Sequence, residues 1–173
     1  MSEKARIEIR VLSGSDAAAF QRIRLEGLLE SPTAFGSSHE EEVEFSLAKV
    51  EERLAPADGR AVFGAFDGET LVGVTGIRRE HQLKLRHKTY IWGVYVTSPY
   101  RGKQVGRRLL EAAIECARSM EGVRQATLTV TVLNEFALSL YLSLGFVEFG
   151  LEPNALSIEG EYYDEKYLAL MLY

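Results

Sequence analysis

The 173-residue chain has few of the residues that cross-link or anchor small proteins. It contains one cysteine, Cys116, four prolines and three histidines. A single cysteine excludes an internal disulfide and a cysteine-rich zinc site, and the histidines are too scattered to indicate a metal. No apolar run approaches the roughly 18 residues of a membrane-spanning helix. We therefore expect no bound metal and no membrane association.

Charge and targeting signals are also sparse. The N-terminal segment MSEKARIEIR lacks an apolar stretch, so no secretory signal is expected, and with the single cysteine this favours a cytoplasmic location. The net charge of −5 argues against a general affinity for nucleic acid. Two basic stretches, residues 78–88 and 100–108, leave a nucleic-acid-binding module open, although such a module would need more exposed aromatics among the charges.

Hydrophobic periodicity predicts one domain over residues 1–173, because no repeat or linker interrupts the chain. Predicted strands occupy 5–12, two runs on either side of Asp67-Gly68, 89–97, 126–132, 146–152 and 162–172. Predicted helices run from Ser13 or Ser15 to Glu30, from about Glu40 to near Pro56, over 105–120, and from Asn134 to Leu144. The order predicts an α/β (α+β) fold, with a mixed sheet of about seven strands flanked by four helices.

The turn after the strand 89–97 carries the clearest functional signal. Gly102 and Gly106 would let a ligand approach the backbone, where the next helix begins with unpaired amides and a positive dipole end. Basic side chains in this turn oppose the helix dipole, an arrangement that a bound phosphate or pyrophosphate would make favourable. The glycine spacing fits neither a P-loop nor a dinucleotide-binding motif. The basic residues are Arg101, Lys103, Arg107 and Arg108.

Residues 101–106, Arg-Gly-Lys-Gln-Val-Gly, resemble the acyl-CoA signature R/Q-x-x-G-x-G/A of the GCN5-related N-acetyltransferase (GNAT) family. A second segment, NEFALSLYLSLGF at 134–146, resembles the family's N…A…Y…GF pattern. The resemblance is strongest over residues 61–173 and implies a single-domain GNAT-like fold with a mixed, mostly antiparallel sheet. Gln104 departs from the pattern, which has glycine there, so its effect on cofactor affinity is open.

The resemblance implies a binding site for acetyl-CoA, the acyl donor. The pantetheine arm would pair with the strand backbone around Val94 and Val96, and the pyrophosphate would lie on the amides of residues 101–107. Asn134 would lie near the pantetheine arm, act only as a helix N-cap, or do both. The implied cofactor-binding residues are Val94, Tyr95, Val96, Arg101, Gly102, Lys103, Gln104, Val105, Gly106, Arg107, Asn134, Ala137 and Tyr141.

The implied activity is acetyl transfer to a primary amine, of a small molecule or a protein N-terminus, by direct attack. Tyr141 would be catalytic, as the acid that protonates the departing thiolate, with simple core packing as the alternative. A backbone amide of Val94 or Val96 would stabilise the oxyanion. The sequence does not identify the general base; the candidates are His39, Glu40, Glu41, Glu42, Glu44 and Asp164.

The acceptor side is less defined by the sequence. The resemblance places Phe35, Gly36 and Ser37 in the family's substrate-lid region and Tyr163 in a hairpin facing it, with Trp92 on the central strand. Aromatics near acidic segments would suit a small cationic amine. Two further alternatives are an acyl-CoA-binding module without turnover and an acyltransferase that uses another acyl group. The resemblance also allows a homodimer formed through the late strands.

Overall fold

A computed structural model describes residues 7–173, so residues 5 and 6 of the predicted first strand lie outside the described part. Its strands are β1 (Ile7–Val11), β2 (Arg60–Asp67), β3 (Thr70–Arg79), β4 (Lys88–Val96), β5 (Gln125–Thr131), β6 (Val147–Ile158) and β7 (Glu161–Met171). Its α-helices are α1 (Ala17–Glu30), α2 (His39–Glu42), α3 (Leu47–Leu54), α4 (Val105–Ser119) and α5 (Glu135–Ser143). The strands form one sheet in the order β1-β2-β3-β4-β5-β7-β6, antiparallel except for β4 with β5, which confirms the predicted mixed sheet.

Local turn and cap signals explain most of the element boundaries. Gly68 has a φ of +59° in the tight β2–β3 turn, a conformation that glycine adopts without steric cost. The side-chain oxygen of Asn134 accepts a hydrogen bond from the Ala137 amide at 3.1 Å and so caps α5. Gly145, with a φ of +96°, ends the same helix.

The predicted continuous helix from Glu40 to near Pro56 is wrong. The chain instead forms α2 and α3, so that residues 7–173 contain five α-helices, four of them longer than one turn. Ser46 starts α3, because its hydroxyl accepts a hydrogen bond from the Lys49 amide at 3.2 Å. Since α2 ends at Glu42, the buried carboxylate of this residue can meet two arginines, which are described below.

Helices cover the two faces of the sheet unequally. Helices α4 and α5 pack on one face, around Leu109, Leu110 and Leu168. Helices α1 and α3 pack on the other face, around Phe20 and Val50, in a core that includes no residue of β5, β6 or β7. Large apolar side chains therefore stay exposed on the late strands: Val147, Phe149, Leu151 and Met171. Within residues 7–173, no helix is long and apolar enough to cross a bilayer.

The sheet opens between β4 and β5. Their parallel pairing covers only Lys88–Tyr90 opposite Gln125–Thr127. Beyond this point, the register of β4 with β3 skips Gly93 and Val94, which form a bulge. Gly93 has a φ of +64°, in the left-handed region that glycine favours. The short pairing and the bulge together create a gap at the centre of the sheet.

Candidate active site

A cavity of about 560 Å³ occupies the gap between β4 and β5. One wall comes from the start of α4 and from α5, and the opposite wall from Arg24 and the loop after α1. Concave, largely apolar spaces with a few polar groups are typical of small-molecule sites. The strand residues that line it are Tyr90, Ile91, Trp92, Gly93, Val94, Tyr95, Val96, Leu128, Thr129, Val130, Thr131 and Glu165.

The end of β4 presents backbone groups to the cavity. Val94 has no partner in the β3 register, and the β5 pairing ends before it. The carbonyl of Val96, in contrast, accepts a hydrogen bond from Nε of Arg101 at 2.8 Å. Both residues were predicted to pair with a pantetheine arm, and the backbone of Val94 is therefore the more available of the two.

A hydrogen-bonded network ties β4 and the signature loop to the end of α1. The Tyr95 hydroxyl donates to Glu26 at 2.9 Å and to Glu30 at 2.6 Å, and Arg101 pairs with Glu30 at 2.5 Å. Burial raises the pKa of Tyr95, and the two carboxylates raise it further. Because the side chain of Tyr95 is engaged here, a contact of this residue with a cofactor would have to come from its backbone.

The first amides of α4 are free to bind an anion. The backbone amide of Arg108 donates to the carbonyl of Gln104 at 3.1 Å. The amides of residues 102–107, in contrast, have no backbone acceptor among residues 7–173. Gly106 borders the cavity, and a Cβ added to it would lie 3.6 Å from Leu140 and 3.8 Å from Val96. The missing side chain thus leaves space beside the free amides, which fits a pyrophosphate at a helix N-terminus.

Gln104 immediately precedes α4 with a φ of +66° and a ψ of 7°. This left-handed conformation is the physical reason for a glycine at the corresponding position of the signature. A residue with a Cβ pays about 1–2 kcal/mol for adopting it. The Gln104 side chain is exposed, so the departure from the pattern leaves the helix amides unobstructed.

Five of the predicted cofactor-binding residues do not border the cavity. Val105 points into the core. The guanidinium group of Arg107 donates to the Ser143 hydroxyl at 2.5 Å and so joins α4 to α5. Contacts of these residues with a cofactor would have to lie outside the cavity, along the loop before α4 and the first turn of that helix. The five are Gly102, Lys103, Gln104, Val105 and Arg107.

Tyr141 lies in the wall formed by α5. Its side chain is buried, packs edge-on against Phe146 with the ring centroids 6.1 Å apart, and borders the cavity. Within the described residues, no protein group forms a hydrogen bond with its hydroxyl. Burial raises the pKa of Tyr141, and nearby Tyr90 adds to the rise, so the phenol keeps its proton at neutral pH. Asn134 and Ala137 border the cavity from the same helix.

The structure adds a residue that the sequence analysis missed, Glu165 on β7. It is the carboxylate that borders the cavity. Burial and the neighbouring Glu152 carboxylate raise its pKa, and the Thr129 hydroxyl partly opposes the rise. Alternation along β7 could have indicated its position, because Glu165 falls on the opposite face from the buried Leu168.

None of the six residues considered as general bases borders the cavity. Glu42 accepts two hydrogen bonds from Arg24, at 2.7 and 3.0 Å, and one from Arg53 at 3.2 Å. Asp164 accepts a hydrogen bond from the Asn154 amide at 2.8 Å. Within residues 7–173, no three His, Cys, Asp or Glu side chains cluster closely enough to hold a metal ion.

On the acceptor side, the charged groups around Trp92 are arginines. The guanidinium carbons of Arg53 and Arg24 lie 4.6 and 5.8 Å from the ring centre. The acidic surroundings expected for the aromatics are only partly found, because Glu42 is paired with these same arginines. Glu165 is the acid that lines the same cavity as Trp92. Of the predicted acceptor-side residues, Phe35, Gly36 and Trp92 line the cavity, whereas Ser37 and Tyr163 do not.

Comparisons with known proteins identify the class. Residues 25–146 match the profile of the acetyltransferase (GNAT) family, and the chain belongs to this family. Its fold is similar to that of a GNAT acetyltransferase from Streptococcus pneumoniae, with a TM-score of 0.83, 25% identity, and coverage of 96% of this chain and 99% of that one. A Sinorhizobium meliloti phosphinothricin acetyltransferase, solved in complex with acetyl-CoA, shares the fold with a TM-score of 0.82 at 19% identity, over 96% of this chain and 88% of that one.

A curated relative is more similar in sequence over a shorter stretch. The chain is 37% identical to the N-alpha-acetyltransferase RimI of Mycobacterium tuberculosis over 98 residues, which make up 56% of this chain and 58% of RimI. In three curated relatives the match covers 24%, 58% and 50% of the relative's length. The chain thus spans less than two thirds of these relatives.

Proposed function

We propose that this GNAT protein transfers the acetyl group of acetyl-CoA to a primary amine, of a small molecule or a protein N-terminus. The observation that carries the proposal is the cavity between β4 and β5, because it joins three features in one space. These are the unpaired stretch at Val94, the free amides at Gly106, and the Tyr141 side chain. The residues fit the donor, since the apolar strand suits a pantetheine arm and the amides suit a pyrophosphate.

Acetyl-CoA, when bound, supplies an activated thioester that the amine attacks directly, without a covalent intermediate on the protein. Val94 has no partner in the β3 register, so its amide is our candidate donor to the thioester oxygen. The Tyr141 phenol is our candidate acid for the departing thiolate, because burial keeps it protonated. Positioned acids and bases of this kind contribute roughly 10²–10⁴-fold to a rate.

Glu165 is our candidate general base. An ammonium acceptor must lose a proton before its nitrogen can attack, and Glu165 is the carboxylate that borders the cavity. Its raised pKa brings it closer to neutral pH, which makes a carboxylate a more effective base there. The proton would pass to Glu165 directly or through one water.

Thermal unfolding with acetyl-CoA tests the donor site. A ligand at 100 times its dissociation constant stabilises the folded state by about 2.7 kcal/mol, which is roughly 5–10 °C for a domain of this size. We expect this shift with acetyl-CoA and with CoA, and none with ATP. No shift at millimolar acetyl-CoA would contradict the proposal and favour the nucleic-acid-binding alternative, which a salt-dependent gel shift would then test.

Release of CoA thiol separates the remaining alternatives. Amine-dependent release supports an enzyme, whereas binding without release supports an acyl-CoA-binding module. Propionyl-CoA and succinyl-CoA, tested in parallel, report the acyl preference. A cytoplasmic location, a single domain over 1–173 and a homodimer through the late strands stay predictions.

A further inference from the structure

A second cavity, of about 330 Å³, lies on the α3 side of the sheet. Tyr90 and Trp92 line both this cavity and the main one, so these two residues form a common wall. Apolar residues form most of its lining, including Val11, Leu54 and Ile77. Its charged lining residues in the described part of the chain are all arginines: Arg53, Arg60 and Arg78.

Arg53 carries a positive charge that is only partly compensated. Its guanidinium group lies over Trp92 and bonds to Glu42 at 3.2 Å. Glu42 is already held by two hydrogen bonds from the buried Arg24. One carboxylate therefore serves two guanidinium groups, which leaves this cluster with a net charge of about +1. Burial and the charge of Arg24 lower the pKa of Arg53, while Glu42 opposes this.

The other two arginines add to the positive potential. Arg60 donates to the backbone carbonyls of Glu52 at 2.9 Å and Ala55 at 3.4 Å, at the end of α3. Arg78 lies over the Tyr90 ring at 5.1 Å, and its ion pair with Glu80 is long, at 3.6 Å. Guanidinium groups at an apolar cavity are stabilised by an oxyanion, which they bind through two parallel hydrogen bonds.

The two sides of the common wall differ in charge. The main cavity is bordered by Glu165 and by Arg24 and Arg101, which are paired with Glu42 and Glu30. Among the described residues, the charged groups that border the second cavity are the three arginines. This arrangement matches a molecule with an ammonium group at one end and an oxyanion at the other. A purely cationic amine, such as a polyamine, would place positive charge against arginines.

We propose that the second cavity binds the oxyanion of an amine acceptor, whose amino group reaches the main cavity past Trp92 and Tyr90. The inference rests on the proposed function and deepens it, because it assigns the acceptor to the class of anionic amines. Carboxylates and phosphonates share the required chemistry. The subsite would select acceptors by the negative charge that they carry far from the reacting nitrogen.

Trp92 provides a test that does not depend on turnover, because it is the one tryptophan of the chain. Its fluorescence is titrated with γ-aminobutyrate, ε-aminocaproate and aminopropylphosphonate. The controls are propylamine and pentylamine, which lack the anionic group, at constant ionic strength. We expect a saturable change in Trp92 fluorescence with at least one anionic amine, and no change with the alkylamine that serves as its control. Equal responses within each pair, or no response to any anionic amine, would overturn the proposal.

Variants assign the response to the arginines. We expect Arg78→Gln and Arg53→Lys to weaken binding of the anionic amine about 10- to 100-fold. Arg118→Gln removes the same charge from an exposed site on α4 and should leave the affinity unchanged. Weakening by Arg118→Gln to the same extent would show a general charge effect and overturn the assignment. Should Arg53→Lys fail to fold, the exposed Arg78 carries the test.

Turnover separates this inference from the proposed function. Thiol release with both members of an amine pair, at equal kcat/KM, supports acetyl transfer but overturns the anionic subsite. Trp92 responses to anionic amines without thiol release support the subsite and contradict the enzyme. Where both hold, Arg78→Gln should raise KM for the anionic amine far more than KM for the alkylamine, whereas Arg118→Gln should change neither.

Discussion

The donor and acceptor sides of the central gap differ in the groups that form them: backbone groups on the donor side and side chains on the acceptor side. On the donor side, the cavity is bordered by backbone groups: the bulged strand at Val94 and the start of α4 at Gly106. On the acceptor side, it depends on side chains from separate elements, since Arg24, Glu42 and Arg53 come from α1, α2 and α3. Backbone sites need few particular side chains, whereas a buried ion network needs every member. Substitutions should therefore act differently on the two sides.

Tyr141→Phe tests the one donor-side position where we assign chemistry to a side chain, and it should have the largest effect. The ring stays in place, but the acid for the thiolate is lost. We expect kcat to fall about 10²–10⁴-fold, with the acetyl-CoA dissociation constant unchanged. Steady-state thiol release and a calorimetric titration measure the two quantities.

Tyr162→Phe is the matched control, because Tyr162 is exposed and does not border the cavity. Its kcat should equal that of the unmodified protein. A Tyr141→Phe variant with full activity would assign Tyr141 to core packing alone. Because the pKa of Tyr141 lies above its ordinary value of 10.0, its deprotonation should cause no loss of activity below about that pH.

Glu42→Gln tests the acceptor side, where side chains hold the structure. The variant leaves the buried guanidinium group of Arg24 and the partly buried one of Arg53 without their carboxylate. Breaking a buried ion pair in this way costs about 3–5 kcal/mol of the free energy of unfolding, which chemical denaturation measures. Glu44→Gln, at an exposed site of the same segment, should cost far less. Equal losses in the two variants would contradict the role of the network.

The same network predicts a pH dependence of stability. Burial alone would raise the pKa of Glu42, but the hydrogen bond and charge of Arg24 and the charge of Arg53 hold it below the ordinary value of 4.5. The unfolded state thus binds a proton more readily than the folded state. The stabilisation by Glu42 is present above pH 4.5 and is lost as the pH falls through the folded-state pKa. Glu42→Gln should lack this acid-side loss.

The contrast also explains what could be predicted from the sequence. The donor side depends on contiguous signals, such as the signature at 101–106 and the Asn134 cap, and the structure places Arg101, Gly106, Asn134 and Tyr141 around one cavity. The ion network joins positions far apart in sequence: Arg24 and Glu42 are separated by 18 positions, and Glu42 and Arg53 by 11. No local pattern indicates that Glu42, among four neighbouring acids, turns inward.

Glu165 was missed for a related reason. Its place beside the cavity depends on how β7 pairs with β5 next to the gap, which is a property of the whole sheet. The signal available in the sequence was the alternation of β7, but acidic residues on an exposed late strand are ordinarily solvated. The same uncertainty applied to Asp164, which turned out to bond within the β6–β7 ribbon.

Glu165→Gln should have a smaller effect than Tyr141→Phe, because water can take part of the role of a lost base. We expect a rate decrease of about 10²-fold, the lower end for general base catalysis. In the unmodified protein, kcat/KM should rise with pH through a pKa above the ordinary 4.5, because the carboxylate must be ionised to act. The variant should lose this rise. A pH profile that the variant leaves unchanged would exclude Glu165 as the base.

Gln104→Gly should have the smallest effect and tests whether the donor side depends on backbone alone. Glycine relieves about 1–2 kcal/mol of left-handed strain and adds about 0.5–1 kcal/mol of unfolded-state entropy, so a net gain of about 0.5–1 kcal/mol is expected. Gln104→Ala keeps the strain and should give no gain, since the Gln104 side chain forms no capping hydrogen bond. If alanine stabilises as much as glycine, the side chain and not the φ of +66° is the cause. The acetyl-CoA dissociation constant should stay the same in both variants, because the amides of α4 keep their positions whichever side chain precedes them.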